Sequence, residues 1–213
     1  MSYELEQINR EQSVSETDPF TERRYRQFAR HLSAGFTGQV LDVGCNTGRG
    51  GQAFLVRAPG VKLDGVELVP DRIERIPVGL YRTVYQGLLE DMPADSGPYD
   101  ALLMGELVEH VPFGALEGFL GQAMRLLAPG GRILLTTPNP HYLLLRLRSG
   151  GSVLGGAHVS VHCPVALQQF LSWKGLTVET VTGSGQVSAL AGEKLPMFLY
   201  GSYLLIARKP ATA

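Results

Sequence analysis

The chain has 213 residues, enough for one domain with a sizeable core. Hydrophobic residues make up 44% and charged residues 18%, as in ordinary globular proteins, and a formal net charge of −1 provides no global field toward nucleic acid or an anionic membrane. Cys45 and Cys163 lie far apart, which argues against a disulfide framework or a CxxC zinc pair.

Residues 1–18 are polar and aperiodic. They predict a flexible tail without the apolar centre of a signal peptide. No apolar run is long enough to span a bilayer, so no stable membrane insertion and a cytoplasmic location are expected. Asp18-Pro19 reads as an N-cap followed by proline at the first helical position, and Tyr25, Phe28, Ala29 and Leu32 continue at helical spacing, predicting a helix over 19–34. Short apolar strands follow at 39–43, 61–66, 82–86, 100–104 and 132–136, alternating with helices at 48–57, 70–76 and 113–127. A segment at 137–163 holds prolines, glycines and His141, His158 and His162, and it reads as a lid-like insertion. A helix over 164–174, strands over 176–182 and 198–208, and a Gly/Ser-rich loop at 183–196 complete the chain. Apolar strands with helical crossovers predict an α/β fold of the doubly wound, Rossmann-like kind, with residues 19–213 as a single domain.

The segment with the most chemistry is Val40-Leu-Asp-Val-Gly-Cys-Asn-Thr-Gly48. A strand closing on Asp42, then Gly44, Asn46 and Gly48, then a helix, is a nucleotide-binding turn. Small residues let the backbone approach a ligand closely. The spacing of Gly44, Gly48 and Gly50 departs from the G-x-G-x-x-G of nicotinamide sites. A dinucleotide-binding protein stays as the alternative of different chemistry.

This turn resembles the first motif of the class I S-adenosylmethionine-dependent methyltransferases, acid-x-Gly-x-Gly-x-Gly, with Asn46 in place of the middle glycine. Asn tolerates a left-handed backbone better than most residues. The resemblance extends over roughly residues 38–140. Glu67 stands where the family's ribose-binding acid closes the second strand, with Leu68 after it. Gly87-Leu-Leu-Glu-Asp-Met-Pro93 matches the family's adenine-contacting stretch, but Leu88 replaces its acid, leaving the Leu89 amide and neighbouring Glu90. Leu107-Val-Glu-His-Val111 and Leu127-Ala-Pro-Gly-Gly131 match the family's stretches after the fourth and before the fifth strand. The resemblance implies a seven-stranded sheet, mostly parallel with an antiparallel last strand, and S-adenosylmethionine as cofactor with S-adenosylhomocysteine as product. It implies a cofactor site drawn from Asp42, Gly44, Cys45, Asn46, Gly48, Glu67, Leu68, Leu89, Glu90 and Glu106. Asp42 would orient the cofactor amine through the turn or a water. The Cys45 side chain reads as a small packing residue.

Transfer to oxygen requires loss of a proton, and histidine suits that role. His110 lies at the carboxyl edge of the sheet, where ligands bind in such folds. His141 and His158 lie in or beside the insertion that covers that edge. His158 and His162 would share one side of an extended segment, but with no evident third ligand no metal is expected. The segment 141–148 reads as a lid helix packed on the domain with Arg146 and Arg148 solvated, the alternative being contact with a lipid or anionic substrate. Thr136-Thr-Pro-Asn-Pro140 and the His-x-Ser-x-His-Cys-Pro164 stretch look like the ubiquinone-type O-methyltransferases, and still more like methyltransferases of glycan and secondary-metabolite pathways. A small-molecule hydroxyl, on a sugar or phenol, is therefore the expected acceptor, and a homodimer is allowed for. A nucleic-acid or protein methyltransferase and a non-catalytic cofactor-binding regulator stay as alternatives, the former requiring a basic groove.

Overall fold

The computed structural model describes residues 18–93, 95–147, 151–154 and 158–211; the tail before residue 18 and Arg148 lie outside the described residues. Strands β1 (Gln39–Val43), β2 (Lys62–Glu67), β3 (Val84–Gln86), β4 (Tyr99–Gly105), β5 (Leu127–Pro138), β6 (Thr177–Ser184) and β7 (Ser202–Arg208) form one sheet in the order β3-β2-β1-β4-β5-β7-β6. β7 runs antiparallel to both neighbours, and the other pairings are parallel. The order reverses between β1 and β4. Their carboxyl ends therefore flank the crevice in which open α/β sheets bind ligands.

The strands are apolar on both faces because both faces are covered. On one face Leu41, Val43, Leu102, Met104, Ile133, Leu135 and Leu205 pack against helices α4 (Leu116–Leu126) and α6 (Pro164–Trp173). On the other, Val40, Ala101, Leu103, Leu134, Leu204 and Ile206 meet α1 (Phe20–Arg30) and α2 (Arg49–Leu55). The two sets alternate along each strand, as the pleat requires. The Asp18 carboxylate accepts the Phe20 and Thr21 amides at 2.6 and 2.8 Å and so caps α1. Arg49 reaches back from α2 to the Asp18 carbonyl at 2.9 Å, clamping the two helices together.

The fold departs from the sequence expectations at several boundaries. α1 stops at Arg30, short of residue 34. The helix expected over 113–127 opens with a 3₁₀ turn at Phe113–Ala115. β5 starts five residues early: Leu127 pairs with Tyr99, the register then shifts, and Ala101 pairs with Arg132. Pro129-Gly-Gly131 fills that irregularity, and a side chain on Gly131 would lie 2.9 Å from the Ala128 carbonyl and 3.0 Å from that of Tyr99. The expected loop at 183–196 contains a helix, α7 (Gln186–Ala191). Buried Tyr200 organises its far end, accepting from the Leu195 amide at 2.8 Å and donating to the Gly192 carbonyl at 2.7 Å. A short 3₁₀ turn at Met197–Leu199 precedes β7, which starts at Ser202 rather than 198.

α3 (Pro70–Ile73) follows β2, and α5 (Leu143–Leu147) forms where a lid helix was expected. α5 does not pack as expected: Leu143, Leu144 and Leu147 are all exposed. Its five residues are too few to bury an apolar face by themselves. Among the described residues no helix is long and apolar enough to cross a membrane.

Candidate functional site

The turn after β1 is held by its own backbone. The Gly44 and Cys45 amides both donate to the Val66 carbonyl, at 2.9 and 3.1 Å, and the Gly48 amide donates to the Cys45 carbonyl at 3.0 Å. Gly44, Asn46 and Gly48 have φ of 72°, 51° and 82°. The departure at Asn46 is thus one that its side chain tolerates, and its Oδ1 accepts from the Thr47 amide at 2.7 Å. With Gly44 and Cys45 amides spent on β2, these residues shape the turn rather than supply its free donors. The Cys45 side chain is buried, and the absent side chain of Gly65 makes room for its sulfur. Burial pushes its thiol pKa well up, which suits packing rather than nucleophilic chemistry.

Asp42 lies behind the turn. It is fully buried, and its two carboxylate oxygens accept hydrogen bonds from the hydroxyls of Tyr25 and Tyr81. Burial pushes its carboxyl up to about 7, the nearby Glu67 charge adds to the rise, and the tyrosine hydrogen bonds hold it back. Asp42 therefore acts on the turn from below. Sequence reasoning missed the tyrosines, although Gly50 and Gly51 were the signal: a side chain on either would run into the ring of Tyr25 or Tyr81.

Glu67 closes β2 beside the turn. Its Oε2 accepts the Asn46 amide at 2.8 Å, its Oε1 accepts the Val69 amide at 2.9 Å, and Arg72 from α3 lies 3.7 Å away. These contacts fix the carboxylate against the turn. Asp64, the other acid of β2, points elsewhere, tied to Arg82 at 2.6 Å and the Tyr99 hydroxyl at 3.0 Å. Leu68 is half-buried next to Glu67. Leu89 is buried and starts a 3₁₀ turn (Leu89–Asp91), whose first amides lack internal partners; Glu90 in the same turn is exposed. The Asp91 carboxylate accepts the Leu88 amide at 3.0 Å and braces this turn.

Glu106 follows β4 with φ of 53°, an uncommon conformation for a non-glycine residue. Its amide donates to Thr136, and its carboxylate accepts from Ser202 at 3.2 Å and lies 3.5 Å from Arg24 Nε. Arg24 Nε and Glu106 Oε1 are buried and make no hydrogen bond, leaving a donor and an acceptor side by side at the carboxyl edge. Arg24 was not foreseen from the sequence, because nothing in the spacing of α1 links it to β4.

The next turn carries Glu109 and His110. Glu109 is buried, and its Oε2 accepts from Thr137 at 3.0 Å while Oε1 makes no hydrogen bond. Burial raises its carboxyl pKa well above the ordinary value, and the charge of Glu106 raises it further. The Glu109 carbonyl accepts the Val159 and Ser160 amides at 2.9 and 3.1 Å, stitching the insertion onto the sheet edge. That contact brings His158 edge-on to His110, with ring centroids 5.0 Å apart. One ligand atom each from Glu109, His110 and His158 lies within 4.8 Å of the other two. The expected face shared by His158 and His162 does not form. His162 is buried away from the trio, bonded to Ser160 Oγ at 2.7 Å and near the Val108 carbonyl at 3.2 Å, and burial lowers its pKa. His141 is exposed and stands outside the cluster.

A family profile described as "Methyltransferase domain" matches residues 19–181. The chain belongs to this methyltransferase family. Its fold is that of solved S-adenosylmethionine-dependent methyltransferases. Among curated relatives, it is 28% identical over 163 residues to a ubiquinone biosynthesis O-methyltransferase of Xylella fastidiosa, covering 68% of this chain and 63% of that protein. It is 31% identical over 166 residues to the mitochondrial enzyme of that name from Rattus norvegicus, covering 68% of this chain and 46% of that one. The chain thus spans less than two thirds of either relative. Among solved structures, a SAM-dependent methyltransferase from Archaeoglobus fulgidus superimposes with a TM-score of 0.67 at 20% identity, over 88% of this chain and 92% of that one. Magnesium protoporphyrin IX methyltransferase from Synechocystis, with bound S-adenosylhomocysteine, superimposes with a TM-score of 0.66 at 16% identity, over 88% and 83%.

Proposed function

We propose that this chain transfers the methyl group of S-adenosylmethionine to a hydroxyl group of a small-molecule acceptor, with the His110–His158 pair receiving the hydroxyl proton. When bound, S-adenosylmethionine supplies a methyl group activated on a sulfonium and leaves as S-adenosylhomocysteine. The residues fit such a cofactor. Glu67, fixed against the turn, would hold the ribose with Leu68 beside it, and the Leu89 turn would meet the adenine. Arg24 Nε and Glu106 Oε1, an ion pair at 3.5 Å with no hydrogen bond to either atom, are the charges that would meet the carboxylate and ammonium of an amino-acid end. The observation that carries the acid–base part is the tautomer of His158. Its Nδ1 lies 2.8 Å from the Val153 carbonyl, which can only accept, so in the neutral ring Nδ1 carries the proton and Nε2 the lone pair. With the cofactor bound, His158 Nε2 would take the acceptor's hydroxyl proton as that oxygen received the methyl group and the sulfur kept the electron pair. The O-methyltransferase names of the relatives support oxygen as the methylated atom, and a phenol or sugar is the bearer proposed for it.

A second reading rests on the Glu109–His110–His158 trio. Its ligand atoms are close enough to hold one divalent ion, and coordination would then acidify the acceptor hydroxyl in place of an imidazole base.

The test is isothermal titration with S-adenosylmethionine, followed by S-adenosylhomocysteine release with a panel of phenols and sugars, before and after chelation. Cofactor binding with hydroxyl methylation supports the proposal. Loss of turnover on chelation, restored by a divalent ion, favours the second reading. Methylation confined to nitrogen acceptors overturns the assignment of the acceptor.

A further inference from the structure

α1 has two working faces. One buries Tyr25 and Phe28 and holds Arg24 against Glu106. The other carries Arg23, Arg26 and Arg30, spaced i, i+3 and i+7, which places the three guanidinium groups along one stripe. Buried Gln27 anchors this second face to the end of β6. Its Nε2 donates to the Gly183 carbonyl at 2.9 Å, and its Oε1 accepts from Ser184 at 2.7 Å. A cavity of about 240 Å³ opens between α1 and α7, lined by the three arginines, Gln27, Gly185 and Ser188 among others.

The charge in this cavity is one-sided. Among the described residues no carboxylate lines it. Arg26 pairs with Glu22 at 2.9 Å and Arg30 with Glu193 at 2.8 Å, each through a single nitrogen. Arg23 has no carboxylate partner among the described residues. Three guanidinium groups therefore face two carboxylates, in a chain whose overall charge is −1. Guanidinium presents a planar fork of donors that matches phosphate and carboxylate oxygens, and a walled cavity strengthens its field relative to open solvent. The opening also lies at the carboxyl edge of the sheet, since β6 ends there at Ser184 and β7 begins there at Ser202, which donates to Glu106.

We propose that this cavity is an anion site for a phosphoryl group, separate from the cofactor crevice. The group arrives either on the acceptor or as a free phosphate or diphosphate. The acceptor arm rests on the proposed methyl transfer; the binding itself does not.

The test uses the full chain and inorganic pyrophosphate in calorimetric titration, with Arg23→Gln and Arg26→Gln beside the unaltered protein. Circular dichroism and S-adenosylmethionine affinity report whether each variant is folded. Saturable pyrophosphate binding that weakens with salt, and that falls about tenfold or more in either variant while cofactor affinity holds, is the expected result. Absence of binding, or binding in both variants equal to that of the unaltered protein, overturns the site. Pyrophosphate competing with a phosphorylated acceptor assigns the group to the substrate. A changed rate with an uncharged acceptor, without competition, assigns it to a free effector. Pyrophosphate binding without any methyl transfer would leave the anion site standing while the proposed reaction fails.

Discussion

His158 meets His110 edge-on at 77°, although 48 positions separate them in the chain. The contact exists because the Glu109 carbonyl takes two consecutive amides of the insertion. Glu109 therefore sets the geometry of the pair.

His158→Gln and His110→Gln should lower kcat by about 10²-fold or more, the usual scale of a lost general base, with S-adenosylmethionine affinity nearly unchanged. Single-turnover rates and calorimetry with S-adenosylhomocysteine measure the two separately. Unchanged kcat in His158→Gln would remove it as the base.

Glu67→Gln should weaken cofactor binding by roughly tenfold or more, since hydrogen bonds to a charged group contribute about 1.5–3 kcal/mol. Glutamine keeps an acceptor oxygen for one of the Asn46 and Val69 amides and turns its NH2 on the other, whereas alanine keeps none, so the melting temperature should fall in both variants and further in Glu67→Ala. Calorimetry and thermal unfolding on both variants check this.

Gly48→Ala should destabilise the fold by about 1–2 kcal/mol from its φ of 82° alone. A further cost comes from the added carbon, which would sit 2.7 Å from Leu80. Urea unfolding measures the loss, and cofactor affinity should fall with it. A stability unchanged within error would mean that the turn relaxes.

The pH dependence of stability should carry the signature of Asp42. Its carboxyl is raised to about 7 in the fold, so the native state binds more protons than the unfolded chain. The contribution is fully present below the ordinary carboxylate pKa near 4 and is lost as pH rises toward 7, at up to about 1.4 kcal/mol per pH unit. Buried Glu109 adds a change of the same sign, and His162, held neutral by burial, adds one of opposite sign. The difference between unaltered protein and Asp42→Asn isolates the Asp42 part. Parallel urea-stability curves for the two between pH 5 and 7 would contradict it.

Much of the cofactor half was legible because its residues are neighbours in the chain. A strand, a tight turn and a helix leave local marks: Asp42, Gly44 and Gly48 within seven positions, Glu67 at a strand end, Pro129-Gly-Gly131 at a register shift. The α7 helix was hidden because its segment is rich in glycine and serine, while its order comes from Tyr200, a residue outside it. The separation of His162 from His158 was hidden because an extended segment alternates only if nothing bends it, and Ser160 turns back to the Val108 carbonyl at 3.1 Å.

The sequence by itself determined the strand order's raw material, the cofactor turn and the acid beside it, since backbone angle and strand periodicity are local properties. Only the tertiary structure decided that Asp42 faces two tyrosines, that Arg24 meets Glu106, that Glu109, His110 and His158 gather, and that three arginines of α1 line a cavity with α7. Each of these joins segments that the chain holds far apart, and only the packing of both sheet faces brings them within contact.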